Sequence, residues 1–254
     1  MIRIGVLPDD VLLEIFDFYV KDPSLLATKM DVEAWHSLVH VCRRWRSLVF
    51  ESPHRLNLQL FCTPQTPLRD TLDVWPALHL IIQGTTTFSS DVDDIIVALG
   101  HSNRVCEVTL WNLSGWELGE VLAAMQVPFP EMTNIFLHCE DEMPPVIPDS
   151  FLGGSAPRLR VFKLTGIPFP GLPKLISSAT HLDELHLWSS PHAGYISPEA
   201  MVAVLSVSSS LKTLSLGFES HKTRPDWGSR RLPLLKRSVI LSLTCLVFKG
   251  VPNI

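Results

Sequence analysis

The sequence contains little that would cross-link the chain or carry it into a membrane. Its five cysteines are widely spaced and include no Cys-x-x-Cys pair, which argues against a disulfide framework and a structural zinc site. No apolar run reaches the length of about 18 residues that a membrane-spanning helix needs. Pro8, Asp9 and Asp10 interrupt the first apolar run too early for a signal peptide. We therefore expect free thiols in a reducing compartment, which is the cytoplasm, the nucleus or both.

Charge is also scarce, and it has no basic excess. Charged residues make up 19% of the chain, with 21 Lys and Arg against 26 Asp and Glu. A chain of this balance is expected to bind neither nucleic acid nor an anionic membrane. Apolar residues make up 46% of the sequence, which is enough for a folded core. The low charge and the mean hydropathy of +0.23 suggest that part of the apolar surface contacts a protein partner.

Motifs of catalysis and cofactor binding are missing as well. The chain has no Gly-x-Ser-x-Gly, His-Glu-x-x-His, Walker-type or Gly-x-Gly-x-x-Gly pattern. His36 and His40 are four residues apart, but a metal site needs further ligands, and a helix surface is the simpler interpretation. We therefore expect no catalytic residue, no metal and no cofactor. A hydrolase on an α/β fold is the less favoured alternative.

Residues 1–53 are predicted to form a small helical module. Pro8 suits the first turn of a helix. Apolar residues follow at positions i, i+3, i+4 and i+7 of one helix face, and these are Leu12, Ile15, Phe16 and Tyr19. A second helical stretch runs from Trp35 to Val49 and ends before Pro53. So small a module cannot bury all its large apolar side chains, which predicts that it docks onto another protein.

Residues 54–254 are predicted to form a repeat domain. The pattern apolar-x-x-apolar-x-apolar begins at Val105, Met132, Leu159, Leu182, Leu211 and Leu243. Helix-like segments lie between several copies, and they begin near Ser90, Trp116, Gly171 and Ser197. One strand and one helical return per unit predict a parallel solenoid in which neighbouring units cover each other. Chance recurrence of leucine-rich strands in an ordinary α/β domain is the alternative.

The two regions together resemble a known kind of protein. Leu7-Pro8, Ile15-Phe16 and the stretch Val41–Leu48, which reads Val-Cys-Arg-Arg-Trp-Arg-Ser-Leu, resemble an F-box. The repeats are similar to irregular leucine-rich repeats, so the chain resembles an F-box/leucine-rich-repeat protein of the style common among fungal F-box proteins. The implied fold is α/β, with a small all-α F-box module over 1–53 and a leucine-rich-repeat solenoid over 54–254. Because solenoids need a polar terminal cap, we expect an exposed apolar C-terminal edge.

The resemblance implies a non-catalytic substrate-recognition subunit of an SCF-type E3 ubiquitin ligase. The F-box would dock on the Skp adaptor, and through it on cullin and RING subunits, while the repeat domain holds a protein substrate of unknown identity. The residues that match the adaptor-facing motif are Leu7, Pro8, Leu12, Ile15, Phe16, Val41, Cys42 and Trp45. A repeat-based interaction scaffold without a ubiquitin-ligase role is the alternative, because the connection Lys21–Ala34 is longer than the usual F-box link.

Strand alternation predicts which residues face a substrate. If Val108 and Leu110 point into the core, the residues between them point to the opposite, concave face. The substrate-facing residues expected from this register are Glu107, Thr109, Trp111, Asn134, Phe136, His138, Lys163, Glu184, His186 and Trp188. Aromatic side chains on an open sheet are unusual unless something binds there. Coverage by loops or by a C-terminal segment is the alternative.

Overall fold

The computed structural model of the protein describes residues 7–20, 34–53, 55–56, 58–63, 72, 78–85, 90–188, 196, 198–217 and 242–249. Its amino-terminal helices are α1 (Asp9–Val20), α2 (Ala34–Val39) and α3 (Arg43–Glu51). The strands are β1 (Gln59–Cys62), β2 (His79–Thr85), β3 (Val105–Leu113), β4 (Asn134–Cys139), β5 (Val161–Thr165), β6 (Glu184–Trp188), β7 (Thr213–Gly217) and β8 (Cys245–Lys249). The helices between strands are α4 (Ser90–Leu99), α5 (Gly115–Ala124), α6 (Leu172–Ser178) and α7 (Pro198–Val207).

Helix α1 begins where the sequence predicts it, directly after Pro8. Asp9 and Asp10 occupy its first turn, where carboxylates interact favourably with the positive end of the helix dipole. The side chains that α1 buries against the rest of the chain are Leu12, Leu13 and Phe16. The helix therefore faces the core with one stripe and leaves the other apolar positions outside it.

The stretch from Trp35 to Val49 was expected as one helical stretch and forms two helices. Helix α2 ends at Val39, and Cys42 has an extended backbone (φ −160°, ψ 170°) just before α3 begins. An extended residue cannot continue the helical hydrogen-bond ladder, so the chain turns here. The buried Trp35 indole donates to the carbonyl oxygen of Gln59 at 3.2 Å. This bond joins the helical module to the first strand of the sheet.

The strands form one parallel sheet whose order is the order of the chain, from β1 to β8. A parallel neighbour needs a crossover connection, so each strand and its return make one unit. This confirms a mixed α/β fold with an amino-terminal helical region and a sheet of parallel strands. The leucine-rich-repeat assignment and the domain division between residues 53 and 54 stay predictions. The connection Lys21–Ala34 lies outside the described residues except for Ala34.

Apolar side chains stack in register across the buried face of the sheet. One such row consists of Leu110, Leu137, Leu164, Leu187 and Leu216 and runs from β3 to β7. Every member of this row is buried, as the predicted alternation requires. The row continues to Phe248 of β8, whose side chain is exposed. An apolar edge is therefore present at β8, as expected from the sequence.

Two of the helices that connect the strands begin with sequence features that are typical of helix starts. Helix α5 has a capping box, in which the Ser114 amide donates to the Glu117 carboxylate at 2.8 Å and the Glu117 amide donates to the Ser114 hydroxyl. Helix α6 carries a proline in its first turn. All four helices predicted between strands are present. A short 3₁₀ turn over Phe151–Gly154 was not predicted, because four residues are too few to show a helical period.

The turn after β5 requires glycine. Gly166 has φ +74°, a conformation that costs a residue with a Cβ about 1–3 kcal/mol, and its amide donates to the Trp188 carbonyl oxygen at 2.9 Å. A Cβ at this position would collide with the Cys139 carbonyl oxygen. Gly119 is a useful contrast, because it lies inside α5 and a Cβ there would meet nothing within 4 Å.

Gly166→Ala is expected to lower the free energy of unfolding by about 2 kcal/mol or more, because it adds backbone strain and a clash with backbone. Gly119→Ala is expected to raise it by about 0.5–1 kcal/mol, because alanine favours the helix interior. Urea unfolding followed by circular dichroism measures both. Equal effects of the two substitutions would contradict this description of the turn.

Candidate functional site

Helix α1 carries a second apolar stripe that faces solvent. Val11, Ile15 and Phe18 follow one another at positions i, i+4 and i+7 and are exposed, with Ile15 at 46% and Phe18 at 78%. Residues at this spacing lie on one helix face. The stripe is next to the buried one, so the helix is apolar on two adjoining sides. An apolar stripe of this kind on a short helix marks a contact with another protein.

The residues predicted to contact the adaptor divide between surface and core. Ile15, Val41, Cys42 and Pro8 are exposed, and Leu7 is half-buried against the core. Leu12 and Phe16 are 0% exposed, so they cannot touch a partner and instead support the exposed stripe from beneath. Trp45 is half-buried, and its ring lies 4.7 Å from that of Phe16.

Val11 and Phe18 were missing from the predicted docking residues. The predicted residues on α1 lie on the face that Leu12, Ile15, Phe16 and Tyr19 form. The available signal was that the helix is apolar on nearly every side, and Val11, Ile15 and Phe18 have helical spacing of their own. Only the packing of α1 against α2 and α3 shows which of the two stripes is buried.

Two arginines form ion pairs with the polar side of α1. Arg44 of α3 donates from Nη2 to the Leu7 carbonyl oxygen and to the Asp9 carboxylate, both at 2.5 Å. Arg55 reaches Glu14 at 2.7 Å and Asp10 at 3.4 Å, and the Glu14 hydrogen bond is the main cause of its raised pKa. These ion pairs are largely exposed, and they link the polar side of α1 to Arg44 and Arg55 beside the exposed apolar stripe.

The second candidate surface is the face of the sheet opposite the core. The residues predicted to face a substrate fall into three rows across the strands. The first row contains Glu107, Asn134 and Glu184, the second contains Thr109, Phe136, Lys163 and His186, and the third contains Trp111, His138 and Trp188. All of them are only partly buried or exposed, whereas the strand residues between them are buried. The structure thus brings these side chains to one face, and contact with a substrate stays a prediction.

Ion pairs neutralise much of the charge in the middle of this face. Glu184 accepts from Lys163 at 2.9 Å and lies 3.4 Å from Nε2 of His186. The Lys163 hydrogen bond is the main cause of the lowered pKa of Glu184. Burial and the nearby Lys163 charge lower the pKa of His186, against the opposing effect of Glu184. His186 is therefore a neutral imidazole at pH 7.

A second group of ion pairs lies just before strands β5, β6 and β7. Asp183 lies between Arg160 and Lys212, at 3.2 Å and 2.8 Å respectively. The hydrogen bond from Lys212 is the main cause of its lowered pKa. These residues line a shallow cavity of about 380 Å³ together with Asn134 and Glu184. Its lining includes the apolar Val161, and the charges of Asp183, Arg160 and Lys212 are paired with each other.

The three aromatic residues of the face differ in accessibility. Trp111 is exposed, and its ring packs against Phe136 with the ring centres 4.4 Å apart. Trp188 is half-buried, because its indole donates to the Ser215 hydroxyl at 2.8 Å and Lys249 of β8 lies over its ring at 5.1 Å. The alternative of coverage by a C-terminal segment thus applies in part to Trp188, whereas Trp111 is the exposed aromatic residue of the face.

The three cysteines in β1, β3 and β4 have buried thiols. All five cysteines are free, and Cys62, Cys106 and Cys139 are buried. Burial is the main cause that raises the pKa of the Cys106 thiol to about 11, so this thiol is protonated at pH 7 and is a poor nucleophile. Among the described residues, no group of three or more His, Cys, Asp or Glu side chains is placed to hold a metal ion. No helix in this part of the chain is long and apolar enough to cross a bilayer.

Comparison with known protein families gives a match in the amino-terminal segment. Residues 4–54 match a family model described as F-box-like, and this segment contains α1, α2 and α3. No curated protein matches the chain. The match supports an F-box protein, and F-box domains in general bind Skp-type adaptors and have an adaptor role of SCF type. The match does not extend to the sheet.

Asp183→Asn is expected to lower the free energy of unfolding at pH 7 by about 1 kcal/mol, because two cations lose their partner. The lowered pKa in the folded state means that the carboxylate stabilises the fold above its unfolded pKa of about 3.9. This contribution is lost as the pH falls through the folded pKa. Urea unfolding at several pH values should therefore show a difference between wild type and variant that shrinks on acidification.

The control for this measurement is Glu142→Gln, which removes an exposed loop carboxylate. Its expected effect is within about 0.5 kcal/mol at every pH. A difference for Asp183→Asn that is independent of pH would show that the ion pairs do not account for its contribution.

Proposed function

We propose that the protein is a non-catalytic substrate-recognition subunit of an SCF-type E3 ubiquitin ligase. The amino-terminal helices dock on a Skp-type adaptor, which connects the chain to cullin and RING subunits. The observation that carries the proposal is the exposed stripe Val11, Ile15 and Phe18, which lies inside the F-box-like segment. From these partners we infer that the protein is located in the cytoplasm, the nucleus or both.

Burial of this stripe supplies the free energy of docking. A large apolar side chain contributes about 1.5–3 kcal/mol when it moves fully from water into an apolar environment. The stripe is held ready for a partner, because the buried side chains of Leu12, Leu13 and Phe16 pack the helix against the chain. Less ordering is then required when the complex forms. The exposed Val41 and Cys42 add a second point of contact at the turn before α3.

The sheet is proposed to be a leucine-rich-repeat array that holds the substrate. Parallel strands in chain order, a buried leucine row and one return per strand all support this assignment. On the open face Trp111 exposes apolar surface to solvent, whereas Glu184 forms an ion pair with Lys163. A surface of this composition, with an aromatic anchor and a polar surround, is typical of protein interfaces.

The mechanism is one of positioning. The adaptor end of the chain fixes the substrate end relative to the ubiquitin-charged E2 enzyme, and substrate lysines then react at a raised effective concentration. No step requires an acid, a base or a nucleophile from this chain. A repeat scaffold without a ligase role would use the same sheet face without the adaptor, so adaptor binding separates the two functions.

The test of the proposed function is the affinity for a purified Skp-type adaptor. Ile15→Ser combined with Phe18→Ser is expected to weaken binding by about 100-fold, since each exposed anchor is worth roughly tenfold or more. Both side chains are exposed, so the fold should be retained, and circular dichroism checks this. Val127→Ser is the matched control, because Val127 is an exposed apolar residue outside the F-box-like segment. Absence of binding by the intact folded chain, or equal binding by the double variant, would contradict the proposal.

A further inference from the structure

An exposed apolar surface lies at the carboxyl-terminal ends of β3 and β4, far along the chain from α1. We call it the edge patch and define it as Trp111, Phe136, Trp116 and Met143. Trp116 is 61% exposed and Met143 is 90% exposed, which is unusual for side chains of this size. Trp111 and Phe136 supply its floor, with their rings in contact.

Local hydrogen bonds assemble the edge patch. The amide of Gly115, at the start of α5, donates to the Asp141 carboxylate in the loop that follows β4. The Met143 carbonyl oxygen lies 3.7 Å from the position that a Cβ would take at Gly115. The loop carrying Met143 is therefore attached beside the first turn of α5, which carries Trp116.

A second link ties the two strand ends together. Asn112 has φ +55°, and its side-chain oxygen lies 3.1 Å from Nδ1 of His138 on β4. The bond joins the residue after Trp111 to the strand that carries Phe136. The edge patch is thus held by contacts on both sides and does not depend on a partner for its shape.

The loop after β4 that carries Met143 is acidic, and the nearby Lys163, which lies next to Phe136 in the sheet, is already paired with Glu184. From Val105 to Pro157 the sequence contains eight carboxylates and no Lys or Arg. They are Glu107, Glu117, Glu120, Glu131, Glu140, Asp141, Glu142 and Asp149. The three in the loop after β4 are exposed and directly precede Met143. A ligand for this surface must therefore combine apolar side chains with positive charge.

We propose that the edge patch binds a segment of a protein partner in which one or two large apolar side chains are flanked by Lys or Arg. The apolar side chains pack on Trp111, Trp116 and Met143, and the cations meet Glu140 and Glu142 or lie over an indole ring. A phosphorylated segment, a nucleic acid and an anionic membrane are all repelled by this charge. A second copy of the chain would bring its own acidic surface to the contact. If the proposed function holds, this segment is the recognition element of the substrate.

The test uses fluorescein-labelled peptides of about twelve residues and the full chain, with and without a Skp-type adaptor. Three matched peptide pools have Lys and Arg around a central Leu-Phe, Glu around the same Leu-Phe, or Lys and Arg around a central Ser-Ser. Fluorescence anisotropy is expected to show at least about tenfold tighter binding of the first pool than of either other pool. Its affinity should fall when the salt concentration is raised, because the pairs with the loop carboxylates are exposed.

Variants of the chain locate the binding surface. Trp116→Gln should weaken binding of the first peptide pool by about tenfold, and so should the double variant Glu140→Gln, Glu142→Gln. Asp141 is left unchanged because it accepts a hydrogen bond from the start of α5. The control is Glu51→Gln combined with Asp93→Asn, which removes the same charge from exposed positions on α3 and α4 and should leave the affinity unchanged.

The outcomes for the two proposals can be told apart. Equal binding of the three pools, no binding, or selectivity that survives both edge-patch variants would overturn this inference even if the adaptor binds. Self-association of the chain that Trp116→Gln abolishes would overturn it as well, since the occupant would then be a second copy. If the intact chain does not bind the adaptor but still selects the first peptide pool, the proposed function is overturned and the edge patch remains a peptide-binding surface.

Discussion

The stack of buried apolar side chains across the parallel sheet is the interaction on which the rest of the structure depends. Each strand places a leucine against the leucine of the next strand, from Leu110 to Leu216. Because side chains alternate along a strand, this stack also determines what remains outside. The polar and aromatic rows of the open face occupy the positions that the core does not use. The buried face therefore carries the packing that stabilises the fold, and the opposite face is the one proposed for recognition.

Helix α1 also has a buried side and an exposed side, but its side chains follow the helical period instead of the alternation of a strand. Leu12 and Phe16 hold α1 to the chain, whereas Ile15 and Phe18 are left for a partner. The two apolar stripes adjoin, and Arg44 on α3 pairs with Asp9 on the third side. A helix so constrained presents its docking residues without having to fold on binding. The proposed function requires that the adaptor-facing helix and the sheet face bind their partners at the same time.

The sequence predicts the sheet well because its signal is regular. Six copies of one pattern coincide with β3 to β8, and the helices between them start with capping residues or proline. The turn at Cys42 and the 3₁₀ turn at Phe151 could not be predicted, since neither has a period that a sequence shows. The docking residues were predicted in part. Leu12 and Ile15 are equally apolar, and only the packing of α1 on α2 and α3 decides which of them is buried.

The central claim is that the chain binds a Skp-type adaptor through α1 and leaves the sheet face open. Hydrogen–deuterium exchange on the free chain and on its complex with the adaptor tests this claim most directly. Added protection is expected only in Asp9–Val20 and in the turn around Val41, with unchanged exchange in β3 to β6. Protection that extends over these strands, or no change in α1, would contradict it.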